Sequence, residues 1–240
     1  MSSVFFEYPT DLQSKAKGAI LATAFSNGDV QIMAAATKNG DITMYLEEGE
    51  HMDPEQVLHR SGECSHLNWH PKLNLLATGW DDGTVAVWSE KERVFREEST
   101  THKAPITLLT FSPEGSRLIS GDSNGLLVVW NVDHRGRLQQ ICKYEKKGSI
   151  THLVFRASAN MTQPADGSIL PCPSFFFGGS SGIIVFADDL GHSSDVIKAG
   201  SPISTMYYNQ AKDYLVLVTV DVVLYKYKIT PEGKMMQERK

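Results

Sequence analysis

The chain has 240 residues, of which 41% are hydrophobic and 21% charged, and its formal net charge is −5 at pH 7. This composition supports one packed core and excludes a disordered chain. The negative charge gives no broad attraction to nucleic acid or anionic lipid, although a local basic patch is compatible with it, and we expect no nucleic-acid partner.

The cysteines and the apolar runs indicate a cytoplasmic chain. Cys64, Cys142 and Cys172 are odd in number and lack the paired spacing of a zinc site or redox motif, so they are interpreted as free thiols in a reducing compartment. The first residues show no basic segment followed by an apolar stretch, which predicts no secretory signal. An apolar run such as Tyr214–Val218 is far shorter than the roughly 20 residues that span a bilayer. We expect no cofactor and no metal.

A unit of about 42 residues occurs twice, because His66–Trp88 aligns without a gap in its core with Ile106–Trp130. Five pairs of landmarks are 42 residues apart: Trp69 and Phe111, Pro71 and Pro113, Thr78 and Ser120, Gly83 and Gly125, Trp88 and Trp130. Short alternating strands, a turn containing glycine and an aromatic residue at the end of the third strand are typical of a WD-repeat propeller blade. The predicted fold is therefore an all-β propeller.

Five blades of four strands account for the chain. Blade one covers about 18–60, and its Asn39-Gly40 turn predicts a type I′ hairpin with positive φ at both central residues. The other limits are about 61–100 for blade two, 101–147 for blade three, 148–200 for blade four with an inserted loop at 157–173, and 201–240 for blade five.

The array is expected to be incomplete, because seven blades of this length need roughly 290 residues. A closed ring of five blades is the alternative. A strand at Val4–Tyr8 could complete a further blade, and Pro231–Gly233 is predicted as a turn in blade five. The inserted loop is either a tolerated excursion or a partner-binding element.

WD blades often contain a buried relay of a His before the first strand, a Ser or Thr in the second, an Asp in the turn and the Trp of the third. The relay positions hold His102, Ser120, Asn124 and Trp130 in blade three, and Thr78, Asp82 and Trp88 in blade two, where Arg60 stands at the His position. A Ser-His-Asp catalytic triad is disfavoured because these residue types repeat with the period. No catalytic residue is expected.

Other segments allow two interpretations. Gly178–Gly182 resembles a phosphate-binding loop but coincides with a hairpin turn and lacks the lysine and helix of a P-loop. The acidic pairs Asp81-Asp82 and Asp188-Asp189 lack the spacing of a calcium loop, which favours solvated turns. Trp80 is either an exposed aromatic anchor or a residue packed against the next blade.

One basic cluster is present, formed by His134, Arg135 and Arg137 with three lysines nearby, Lys143, Lys146 and Lys147. It is either a solvated loop or a contact for an acidic partner or a phosphoinositide headgroup.

Several longer segments resemble one family beyond the generic repeat. They are Met44–Glu50, Leu67–Trp88, Thr101–Gln139, the short Thr151–Arg156 and the late Ile229–Lys234. Together they are similar to the N-terminal propeller of the intraflagellar transport protein 140 family, a subunit of intraflagellar transport complex A. The similarity is loose between Ala157 and Gly200.

The resemblance implies a ciliary protein with two propellers followed by a helical solenoid, of which this chain would be a part. It implies retrograde transport, cilium assembly and ciliary entry of membrane cargo, with other complex A subunits and cargo proteins as partners, at the ciliary base and axoneme. A generic WD-repeat adaptor in a ubiquitin ligase or vesicle coat is the second hypothesis. A propeller hydrolase is the third, and it would need acidic or His side chains converging on the central channel.

Overall fold

The computed structural model describes residues 18–27, 31–46, 57–156, 172–229 and 235–237. All regular elements in these ranges are β-strands, and they form five antiparallel sheets of four strands each. The predicted all-β architecture is confirmed. No helix in the described ranges has the length and apolar character needed to cross a membrane.

The strands follow one another in chain order within each sheet. Blade one contains β1 (Ile20–Phe25), β2 (Ile32–Thr37), β3 (Asp41–Leu46) and β4 (Leu58–His59). Blade two contains β5 (Cys64–Trp69), β6 (Leu75–Trp80), β7 (Val85–Ser89) and β8 (Val94–Glu98), and blade three contains β9 (Ile106–Phe111), β10 (Leu118–Asp122), β11 (Leu126–Val132) and β12 (Leu138–Glu145). Blade four contains β13 (Ile150–Phe155), β14 (Phe175–Gly179), β15 (Ile183–Ala187) and β16 (Ser193–Lys198), and blade five contains β17 (Ile203–Asn209), β18 (Tyr214–Thr219), β19 (Leu224–Ile229) and β20 (Met235–Gln237).

The middle strands of the central blades are buried on both faces. Every residue of β6, β7, β10 and β14 is buried, whereas the outer strand β12 is largely exposed. A strand that is covered on both faces needs apolar residues in succession rather than in alternation. This explains the runs LLATGW and FFFGG, which alternate poorly but lie between two neighbouring blades.

Apolar clusters hold the blades together in sequence. One cluster lies between each pair of successive blades, from Ile32 with Trp69 in the first to Phe176 with Met206 in the last. The first strands form an inner series in which β1 contacts β5, β5 contacts β9, β9 contacts β13 and β13 contacts β17. No contact of similar extent joins β1 to β17 within the described residues. The five blades thus form an incomplete propeller.

The hairpin between the second and third strands has the same geometry in every blade. The backbone N–H of the fourth turn residue donates to the carbonyl of the first, at Gly40, Gly83, Gly125, Gly182 and Val222. These five residues have positive φ, whereas Asn39 does not, so the type I′ prediction for Asn39-Gly40 is wrong. The geometry is that of a turn followed by one left-handed residue. Glycine is favoured there because a Cβ on Gly40 would lie 1.8 Å from the carbonyl oxygen of Arg60.

Some sequence-based predictions fall outside the described residues. They are the strand at Val4–Tyr8, the turn at Pro231–Gly233 and most of the loop at 157–173. Of that loop, Cys172 and Pro173 are described, and both are buried. The fourth strand of blade five, for which the sequence indicated no particular residues, is β20.

We expect Val222→Gly to stabilise blade five. Val222 has a φ of 64° in a turn where the other blades use glycine, and its side chain is 82% exposed, so it gains little from burial. Relief of the left-handed strain of a β-branched residue should raise the free energy of unfolding by about 1 kcal/mol. Chemical denaturation measures the change. Val223→Gly, at the neighbouring exposed valine, is the control and should lower stability instead.

His70 connects blade two to blade three in its neutral form. Its Nδ1 accepts the backbone N–H groups of Lys72 and Leu73, both at 3.0 Å, and its Nε2 lies 2.9 Å from the carbonyl oxygen of Gly115. The two N–H donors fix the tautomer, since Nδ1 must then carry a lone pair and Nε2 the proton. Burial lowers the pKa of His70 below its ordinary value.

This arrangement predicts acid sensitivity. Because the pKa of His70 is lower in the folded state, the unfolded state takes up a proton first, and stability should fall as the pH drops below about 6.5. Burial also lowers the pKa of His66, His102 and His152, which act in the same direction. Thermal unfolding of His70→Gln between pH 7.5 and 5.5 should show a lower midpoint at pH 7.5 and a smaller acid-induced decrease. An unchanged pH dependence would contradict the role of His70.

The buried relay and candidate interaction surfaces

A buried chain of hydrogen bonds crosses blade three. Trp130 Nε1 donates to Ser120 Oγ at 2.7 Å, Ser120 Oγ lies 2.7 Å from His102 Nε2, and His102 Nδ1 lies 2.9 Å from Asp122 Oδ2. An ionised carboxylate requires the proton of His102 on Nδ1, so Ser120 donates to Nε2. All four side chains are buried. The hydrogen bonds confirm that His102, Ser120 and Trp130 meet.

Asp122, rather than Asn124, supplies the acid of this relay. Asp122 Oδ1 accepts the backbone N–H groups of Asn124 and Leu126, both at 2.9 Å, while Oδ2 binds His102. The side chain of Asn124 is exposed, so the assignment of Asn124 to the relay is wrong. The acid ends the second strand instead of standing in the turn. An Asp two residues after Ser120 was the available signal, because β-strand neighbours at i and i+2 share a face.

In blade two, different residues form the hydrogen-bond network beside the turn after the second strand. Arg60 Nη2 donates to Asp82 Oδ2 at 2.7 Å and to Thr84 Oγ1 at 2.8 Å, and its guanidinium lies 4.9 Å from the centre of the Trp80 ring. Burial alone would raise the pKa of Asp82, but hydrogen bonds from Arg60 and Thr84 hold it below its usual value. A cation–π contact and an ion pair therefore take the place of the His–Asp pair.

The predicted link between Thr78, Asp82 and Trp88 is not formed as expected. Thr78 Oγ1 accepts the indole N–H of Trp80 at 2.9 Å, Asp82 pairs with Arg60, and Trp88 packs edge-on against Trp69 at 6.3 Å. Trp80 is 0% exposed, so its interpretation as an exposed anchor is wrong.

The loop Asp133–Arg137 is fixed to the neighbouring blade. Asp133 Oδ1 accepts the backbone N–H groups of Arg135 and Arg137, both at 2.9 Å. The Arg135 guanidinium lies 3.3 Å from Glu92, and its backbone oxygen accepts from Arg96. His134, Arg135 and Arg137 are exposed. The loop thus presents basic side chains on a rigid base.

The basic cluster seen in the sequence is two separate patches. Lys143 pairs with Glu145 at 2.9 Å and Lys146 with Asp195 at 2.8 Å, towards the far end of β12. Since β12 has eight residues, its ends are roughly 25 Å apart. Arg135 and Lys146 therefore cannot bind one small headgroup together.

The remaining candidates have local roles. Gly178–Gly182 forms the end of β14 and the hairpin to β15, as expected for a turn. Asp81 accepts the backbone N–H of Glu63, Asp188 accepts those of Leu190 and His192, and Asp189 pairs with Arg117. Among the residues that the structure describes, no group of three or more His, Cys, Asp or Glu side chains could hold a metal ion.

The repeated four-stranded sheets, the common hairpin and the blade-three relay define the class. A chain in a crystal structure of the mitotic checkpoint complex superposes with a TM-score of 0.69 over 92% of this chain and 64% of that chain, at 12% identity. The fold is that of a WD-repeat β-propeller. A family model for the IFT140 first beta-propeller matches residues 4–170, and the chain belongs to this family.

Other relatives match over a part of their length. U3 small nucleolar RNA-associated protein 12 of Saccharomyces cerevisiae is 38% identical over 87 residues, which are 35% of this chain and 9% of that protein. WD repeat-containing protein 75 of Danio rerio is 27% identical over 172 residues, 66% of this chain and 20% of that protein. The chain thus spans a small part of the length of these relatives.

We expect Asp122→Ala to destabilise the protein and Asn124→Ala to have little effect. Loss of Asp122 leaves His102 and two turn N–H groups without their acceptor in a buried site, at a cost of roughly 2 to 4 kcal/mol. Asn124 contributes only its backbone N–H to this network, so its truncation should cost less than about 0.5 kcal/mol. Equilibrium denaturation of both variants measures the loss of unfolding free energy. Equal losses in the two variants would contradict the assignment of Asp122 as the acid of the relay.

Proposed function

We propose that this chain is a non-enzymatic interaction scaffold, the first propeller of a subunit of intraflagellar transport complex A. The family match over residues 4–170 is the observation that supports this assignment most strongly. In this proposal the chain acts in retrograde ciliary transport, cilium assembly and entry of membrane cargo. Its partners are other subunits of the complex and ciliary cargo, and its location is the ciliary base and axoneme.

The rigidity of the described blades supports a scaffold role. Hairpins are fixed by backbone hydrogen bonds, and loops such as Asp133–Arg137 are held by ion pairs and carboxylate acceptors. A partner that binds such loops pays little ordering entropy, because the loops already hold one conformation. The relay residues are buried, which supports a structural role for their hydrogen bonds.

The exposed basic loop is a proposed contact for an acidic protein segment. Arg135 is already paired with Glu92, which leaves His134 and Arg137 as the more available groups. Each basic residue contributes only about 1 kcal/mol at an anionic membrane, so this loop alone is a weak membrane anchor. Binding of the chain to phosphoinositide vesicles, with loss in Arg137→Glu, would favour the lipid instead.

Affinity purification and imaging of a tagged chain in ciliated cells test the assignment. We expect recovery of complex A subunits and a signal at the ciliary base and axoneme. Trp130→Ala is the matched control, because truncation of this buried indole should cost roughly 3 to 5 kcal/mol and abolish both. Recovery of ubiquitin-ligase or coat components with a diffuse or vesicular signal would favour the generic adaptor instead.

A further inference from the structure

Blade four contains a cavity at a position that blades two and three fill with their own side chains. Three equivalent positions define it. The first position is the end of the second strand, where the residue pairs with the first residue of the first strand. It is Trp80 in blade two, Asp122 in blade three and Gly179 in blade four.

The second position precedes the first strand, and its backbone lies against the turn glycine of the preceding blade. It is Arg60 in blade two, His102 in blade three and Lys146 in blade four. The third position, on the outer strand, carries an acid, Glu97 in blade two and Asp195 in blade four.

Blade two shows how an aromatic side chain fills this place. Trp80 is fully buried, Arg60 lies over its ring at 4.9 Å, and the Arg60 Nε donates to Glu97 at 3.3 Å. In blade three the same place holds the pair of His102 and Asp122. Blades two and three therefore each combine a basic group with an aromatic or acidic partner at the end of the second strand.

Blade four keeps the basic group and the outer acid but has glycine in place of the aromatic residue. Lys146 Nζ pairs with Asp195 at 2.8 Å, as Arg60 pairs with Glu97. A cavity of about 330 Å³ lies beside them, a volume within the range of small-ligand sites, about 300 to 1,000 Å³. Its lining includes Lys146, Gly179 and Asp195, the equivalents of Arg60, Trp80 and Glu97.

The wall of the cavity is apolar and its rim is charged. Ile150, Phe177 and Val185 line it as part of the core between blades three and four. Lys147 and Gly148 lie at its rim and are solvent-exposed, so the cavity is accessible from outside. An apolar wall with ammonium groups nearby suits a flat π-system, because a cation is attracted to the face of an aromatic ring.

We propose that this cavity is a socket for an aromatic side chain of a protein partner, with tryptophan as the best fit. The occupant repeats in trans the contact that Trp80 makes within blade two. Its ring packs on Phe177 and Val185, Lys146 lies at its face, and Asp195 or the rim carboxylate of Glu145 accepts an indole N–H. The site adds a specific partner chemistry to the scaffold role, but its existence does not depend on which complex the chain joins.

A ¹⁹F-labelled N-acetyl-tryptophan amide is the probe, and the full chain is the target. We expect saturable line broadening of the fluorine signal. Unlabelled N-acetyl-tryptophan amide should displace the probe at roughly fivefold lower concentration than N-acetyl-leucine amide, because only the aromatic ring gains the cation–π contact. Absence of saturable broadening would overturn the socket, and equal competition by the leucine amide would overturn its aromatic preference.

Variants locate the binding. Val185→Phe directs a ring into the cavity, and Ser181→Trp covers its exposed mouth, so both should abolish binding. Lys146→Met should weaken binding severalfold. Lys143→Met removes an exposed lysine of β12 that does not line the cavity, so it should leave binding unchanged. Thermal unfolding verifies that each variant is folded. Binding that persists in both blocking variants would place the probe elsewhere and overturn the proposal, whether or not complex A subunits are recovered with the chain.

Discussion

Burial of each sheet on both faces is the constraint on which the structure depends. A lone four-stranded sheet of these sequences would expose Leu76, Val87 and Trp88 to water, although all three are buried between blades. Full burial of such a side chain is worth roughly 1.5 to 3 kcal/mol, so the stability of one blade is supplied largely by its neighbours. The continuous apolar middle strands and the inner series of first strands both follow from this requirement.

The buried relay supplies hydrogen-bond acceptors for the turn after the second strand. The turn after the second strand carries N–H groups that are partly shielded from water, and a buried donor without an acceptor costs about 1 to 3 kcal/mol. Blade three uses the carboxylate of Asp122 for this purpose, whereas blade two uses Asp82 for the N–H of Thr84 and holds that carboxylate with Arg60. The chemistry differs, but both networks satisfy the turn and fill the space beside it.

Periodicity predicted the fold well because it depends on many residues at once. The landmarks that repeat between Trp69 and Trp130 mark strands and the turns between them, and substitution of one does not alter the others. Side-chain pairing depends on single residues and is harder to predict. Asn124 occupies the usual place of the acid, yet Asp122 is buried with Ser120 and is the residue that binds His102. The type I′ prediction failed for a similar reason, since Asn-Gly fits two turn geometries and only the register of the flanking strands decides between them.

The independence of the blades allows one blade to change its buried site without loss of the others. The equivalent residues Trp80, Asp122 and Gly179 differ in size and charge. Each can be tolerated because its contacts are confined to one interblade cluster and one turn. In blade four, Gly179 stands at this position beside a cavity of about 330 Å³, and the sheets on both sides are held by their own hydrogen-bond ladders. In this chain, the blade with glycine at this position has a cavity at its edge, whereas the tryptophan of blade two fills its own site. Recognition sites can arise in this way while the framework stays the same, which suits a scaffold that must present different surfaces to different partners.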